Sequence, residues 1–138
     1  MDSVSTFNMN ICSYNMLGYN NGLPMVQDLC ETFDFILLQE HWLTSFDLQK
    51  INEIHKDFTS FSVSAMDSRI QSEIYYGRPF GGTAILCRNK YLRYCTLIDR
   101  DTSAGRLTAI RFYTKQLDIV IVKFMLTFHI LRRLMTTL

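Results

Sequence analysis

Two polar residues, Asn15 and Glu40, each close a short apolar run. Ser13-Tyr14-Asn15 ends a loosely alternating stretch that begins at Asn8, and Leu38-Gln39-Glu40 ends the run Phe35-Ile36-Leu37-Leu38. A side chain at the end of a buried strand is held rigidly at the rim of a sheet, where a site can be built. An amide and a carboxylate emerging at one sheet edge suit Mg²⁺, a hard cation that takes oxygen ligands and keeps several waters. One or two carboxylates plus a substrate phosphate complete such a site, so a single Glu does not exclude one. The plainer reading makes Glu40 a surface acid ending a strand and Asn15 a turn residue, a position Asn favours. Trp42, the only tryptophan, reads as a packing residue, and the sequence assigns His41 no role.

The elements that must position this pair follow from hydrophobic periodicity. Residues 8–14 read as a first strand. Pro24 suits the first turn of a helix, and Val26, Leu29, Cys30 and Phe33 continue it as one apolar stripe. Residues 35–39 read as a strand buried on both faces. The chain therefore begins β-α-β, and a right-handed crossover lays the two strands parallel in one sheet. Thr44 or Ser45 caps a second helix with Asp47 in its first turn and Leu48, Ile51 and Ile54 on its apolar face. From Phe58 to Ala65 the period changes to two, a half-buried strand, and residues 66–76 read as a loop. Gly81-Gly82 opens a strand over 83–87. Arg88-Asn89-Lys90 then turns the chain into 91–98 as a β-hairpin, and residues 107–114 and 117–122 form another. The expected class is α/β, a mixed sheet with two helices followed by antiparallel hairpins.

With 138 residues, 48% of them hydrophobic, the chain is one domain or a piece of a larger one and is not intrinsically disordered. Residues 1–68 hold nine acids against two lysines, net −7, and residues 69–138 hold twelve bases against four acids, net +8. Uneven surface charge explains this blandly. A phosphate-facing surface beside a cation site explains it more sharply. The cysteines at 12, 30, 87 and 95 lack zinc-site spacing and read as free thiols of a reducing compartment. Neither a signal-peptide core nor about 18 uninterrupted apolar residues is present, so the expectation is an intracellular protein, nuclear or cytoplasmic, with no membrane contact. No obligate protein partner is evident.

The order S-Y-N (13–15), L-Q-E-H-W (38–42) and G-R-P-F-G-G-T-A-I-L (77–86) resembles the endonuclease/exonuclease/phosphatase superfamily. Within it, the pattern is most similar to the apurinic-endonuclease-like domain of LINE-type (non-LTR) retrotransposons, over about residues 8–122. The resemblance implies a deoxyribonuclease I-like four-layer α/β/β/α sandwich and Mg²⁺- or Mn²⁺-dependent cleavage of a DNA phosphodiester, leaving a 3′-hydroxyl that primes reverse transcription. It implies that Asn15 is the active-site asparagine and Glu40 the metal-binding glutamate. Residues 77–82 match a loop typical of the retroelement branch, in which Arg78 is a weak candidate for nucleic-acid contact. Phosphatase branches share the Glu but fit residues 77–82 less well.

The pattern then breaks off. Phe124-Met125-Leu126 stands where members carry Tyr-x-Pro, and the later G-D-x-N and S-D-H motifs are absent. In the family it resembles, those motifs hold the nucleophile-orienting aspartate, a second asparagine and the catalytic histidine. Residues 1–122 are thus expected to be the N-terminal part of the domain, an incomplete sandwich. The acid-free segment 123–138 reads as a divergent tail outside it, or alternatively as an amphipathic helix docked on the sheet. A sheet short of its covering partner would expose apolar surface and aggregate. The expected protein is inactive by itself; the alternative is a non-catalytic nucleic-acid-binding remnant that uses the basic half.

Overall fold

The computed structural model describes residues 8–71, 74–75, 77–101, 104–125 and 128–133. Strand β1 (Ile11–Asn15) leads through helix α1 (Tyr19–Leu29) to β2 (Phe35–Gln39), and β1 and β2 pair in parallel, as the β-α-β reading requires. A 3₁₀ turn (Ser45–Asp47) precedes a short α2 (Gln49–Asn52), which leads to β3 (Phe58–Val63). After the small hairpin of β4 (Ile70–Gln71) and β5 (Ile74–Tyr75) comes β6 (Thr83–Arg88). The first sheet has the order β1-β2-β6-β3, with β6 antiparallel to both its neighbours. The second sheet is built from β7 (Cys95–Arg100), β8 (Leu107–Tyr113), β9 (Asp118–Phe124) and β10 (Phe128–Arg133), all antiparallel.

The central strands explain the continuous apolar runs. All five residues of β2 and the first five of β6 are buried, because one face meets α1 and α2 and the other meets the second sheet. Ile36, Leu38, Ala84 and Leu86 pack with Val26, Cys30 and Ile51 on the helical side. Phe35, Leu37, Ile85 and Cys87 pack with Ile110, Phe112, Ile119 and Ile121 between the sheets. The edge strands β1 and β3 carry the mixed sequences ICSYN and FTSFSV. Layering is therefore helices, mixed sheet, antiparallel sheet. The architecture is α/β, and among the described residues no helix covers the outer face of the second sheet.

Several expectations are corrected. Helix α1 starts at Tyr19, a turn and more before Pro24, so the proline lies inside it. Neither Thr44 nor Ser45 caps a helix through its side chain; the Ser45 backbone N–H and hydroxyl instead donate to Asp67. Part of the 66–76 loop is the β4–β5 hairpin. Strands β6 and β7 do not pair: β6 already has β2 and β3 on its two edges, so the helical turn α3 (Asn89–Leu92) carries the chain across to the other sheet. A second sheet drawn from this chain covers the first, which removes the expected exposure of the first sheet's apolar face. Residues 128–133 are a strand pairing with β9 rather than a helix; residues 134–138 lie outside the described part. No helix among the described residues is long and apolar enough to cross a membrane.

Candidate active site

The parallel register places Asn15 opposite Gln39, and the Met16 N–H donates to the Gln39 carbonyl at 2.9 Å. Asn15 and Glu40 therefore leave the sheet at one edge, which brings the two sequence candidates together. Asn15 is exposed, and its Oδ1 accepts the Leu17 N–H at 3.0 Å. Arg78 is also exposed, in the loop that runs into Gly81.

The backbone at this edge is unusual. Leu17, Glu40 and Trp42 have φ of 49°, 59° and 61°, a left-handed conformation that costs a non-glycine residue about 1–3 kcal/mol. Hydrogen bonds from both sides hold it. The Glu40 and Trp42 N–H groups donate to the carbonyls of Gly82 (2.9 Å) and Gly81 (3.0 Å). On the other flank, the Gly18 and Tyr19 N–H groups donate to the carbonyls of Glu40 (2.8 Å) and His41 (2.9 Å). This conformation brings the Glu40 carboxylate to the N–H edge of the Trp42 indole. The indole Nε1–H donates to Oε2 at 2.7 Å, and the Gly81 N–H donates to the same oxygen at 3.0 Å. Among the described residues nothing donates to Oε1. Glu40 is thus a carboxylate aimed through one oxygen and open at the other.

His41 is fully buried and accounts for the second glycine. The Leu43 N–H can only donate, so Nδ1 accepts it (3.0 Å) and Nε2–H donates to the Val63 carbonyl (2.9 Å). Burial pushes the imidazole down to about 4, so it is neutral near pH 7 and both nitrogens are occupied. A Cβ on Gly82 would collide with this ring, and Gly82 also has φ of 92°, so only glycine fits there. The motifs 38–42 and 81–82 are one structural unit: Trp42 and Gly81 hold the acid, and His41 fills the space that Gly82 leaves.

Between the sheets near this edge, the apolar interior gives way to polar groups. Thr83, paired across from Gln39, shares a hydrogen bond of 2.9 Å with Thr108 of the second sheet. Thr108 is opposite Lys123, whose Nζ donates to Ser13 Oγ at 2.7 Å. Lys123 is 1% exposed, whereas its neighbour Phe124 is 39% exposed on the outer face. Sequence reasoning missed Trp42 as the donor to Glu40 and Lys123 as an inward residue. The alternation of Ile119, Ile121 and Lys123 along β9 was the available signal for the latter.

The donor set fits a hard cation held by one carboxylate, an amide, waters and a substrate phosphate. Among the described residues no three His, Cys, Asp or Glu gather as an all-protein metal cage would need. No protein-family model matches the chain, and no curated protein matches it. Among solved structures, a 3′ phosphatase of Neisseria bound to product DNA hairpin aligns over 82% of this chain and 40% of its own, at 19% identity and TM-score 0.44. This chain thus spans less than half the length of that protein, and a likeness of this degree carries no argument about activity.

Proposed function

We propose that this chain carries the cation-holding part of a DNA phosphodiesterase site of the endonuclease/exonuclease/phosphatase type, derived from a LINE-type retroelement. The observation behind it is Glu40, fixed by Trp42 and Gly81 at the end of a fully buried central strand, with no donor to its other oxygen among the described residues and with Asn15 at the same end of the neighbouring strand. Glu40 and Asn15 would hold Mg²⁺ or Mn²⁺, which when bound stabilises negative charge on a phosphoryl oxygen. The Asn15 amide accepts through its oxygen, and among the described residues its two N–H donors have no other acceptor and can meet that charge.

The chain by itself lacks the other half of the chemistry. His41 is neutral and committed at both nitrogens, and His55 sits among Glu31, Asp57 and Phe58, away from Glu40. The His129 side chain lies outside the described residues. Loss of a general base alone forfeits about 10²–10⁴ in rate, and here the nucleophile-orienting acid is missing with it. The 138 residues are therefore expected to bind the metal without turning over. Mn²⁺ should broaden the NMR signals of the Trp42 indole and Gly81 amide, and Glu40→Gln should abolish the effect. Equal broadening in wild type and variant would refute the metal role, as would plasmid nicking that survives Glu40→Ala.

A second reading rests on the exposed Arg93, Arg100, Arg106 and Lys115 of the basic half. A non-catalytic nucleic-acid binder would show metal-independent DNA affinity that falls steeply with salt. Flat binding between low and high salt would remove it.

A further inference from the structure

Lys123 is the least explained charge in the molecule. It projects from β9 into the space between the sheets, is 1% exposed, and has no carboxylate within salt-bridge distance among the described residues. Burial without a counter-charge is costly, and it pushes this ammonium down to about 8. Its partner is unlike it. Ser13 lies on edge strand β1 and is exposed. The Ser13 oxygen accepts from Lys123, so its own proton is free to point outward, polarised by the cation behind it. Ser13 and Asn15 stand on the same face of β1, about 7 Å apart along the strand at about 3.3 Å per residue.

We propose that the Ser13 hydroxyl, backed by Lys123, is an anion subsite that takes an oxygen of a phosphate group next to the one at Glu40 and Asn15. The proposal names a further contact for the substrate class of the preceding section and to that extent rests on it. The anion touches Ser13, and Lys123 acts behind it, supplying the charge that the serine alone lacks. A phosphate seated there provides the counter-charge that β9 withholds from its lysine.

The test uses the 138-residue chain in EDTA with inorganic phosphate as the probe. Phosphate should shift the Ser13 amide and the Lys123 side-chain NMR signals and keep Lys123 protonated to higher pH. Lys123→Met keeps the side-chain volume and removes the buried charge, so it should fold and yet bind phosphate at least about tenfold more weakly. Ser13→Ala should do the same, and Lys56→Ala, an exposed residue just before β3, should not. Phosphate affinity unchanged in Lys123→Met, or no response at Lys123, overturns the subsite. Because the assay contains no metal, its outcome is separate from that of the Mn²⁺ experiment. Phosphate bound without Mn²⁺ at Glu40 keeps the subsite and sinks the metal site, and the converse result does the reverse. A short DNA strand with phosphates at every position, compared with one carrying uncharged linkages, distinguishes nucleic-acid phosphate from the free ion.

Discussion

The two ends of the first sheet are built in opposite ways. At one end, Asp34 and Arg88 close the structure: Arg88 Nε donates to Asp34 Oδ1 at 2.9 Å, and its NH2 group donates to the Cys30 and Phe33 carbonyls. The other Asp34 oxygen accepts the Asn10 N–H at 3.0 Å, and the guanidinium stacks over Phe58. Both carboxylate oxygens of Asp34 are thus engaged inside the protein. At the other end the backbone is left-handed at three non-glycine residues, and among the described residues nothing donates to the second Glu40 oxygen. One end ties α1, β2 and β6 together. The other stores strain and presents a carboxylate, the arrangement expected where binding rather than stability set the design.

The closed end should give the largest stability loss when broken. Arg88→Ala leaves Asp34 nearly buried without its partner and two carbonyls without a donor, so a cost of about 3–5 kcal/mol is expected in denaturant unfolding. A loss below about 1 kcal/mol would mean that the salt bridge does not hold this end. At the open end, Gly82→Ala meets both the His41 ring and an unfavourable φ, which together cost about 2–4 kcal/mol. It should also shift the Trp42 indole signal, because His41 and the carboxylate clamp are one unit. Stability lost with that signal unmoved would separate them.

The same histidine makes the open end sensitive to acid. Its folded value of about 4 lies below the unfolded value of about 6.5, so protonation favours the unfolded chain. Its contribution is complete above about pH 6.5 and is lost as pH falls toward 4, up to about 3 kcal/mol in all. Unfolding measured in EDTA from pH 7 to 4.5 should show this decline. An NMR titration placing the His41 midpoint near 6.5 would contradict it.

The sequence reveals much of this because both central strands are apolar on two faces. Phe35–Gln39 and the run from Thr83 announce themselves without an alignment, and strand-end position then picks out Asn15 and Glu40. Pairing beyond the first β-α-β was not legible. The segment 88–98 has the local pattern of a hairpin, and only the occupancy of both edges of β6 forbids it. Likewise 128–133 has helical spacing, but the open edge of β9 draws it into a strand. Tertiary context decided both. Left-handed φ at Glu40 and Trp42 is invisible in residue types that ordinarily avoid it, so the hydrogen bond across two residues could not be foreseen.

The smallest effect should come from Trp42→Phe, and it tests the contrast between the ends most directly. The substitution keeps a large ring against Gly18, where a Cβ would come within 2.6 Å of the indole, and removes only the Nε1–H donor. Glu40 remains partly solvated and keeps the Gly81 N–H, so the stability cost should be about 1 kcal/mol. Metal affinity should fall further than stability, by about 10–100-fold, because a carboxylate released from its aiming donor no longer presents a fixed oxygen. Comparing Mn²⁺ binding with thermal unfolding of the same variant checks this. If both barely change, Trp42 only packs. If stability falls by several kcal/mol while Mn²⁺ affinity holds, the open end is built for stability after all, and the two ends of the sheet differ in geometry but not in purpose.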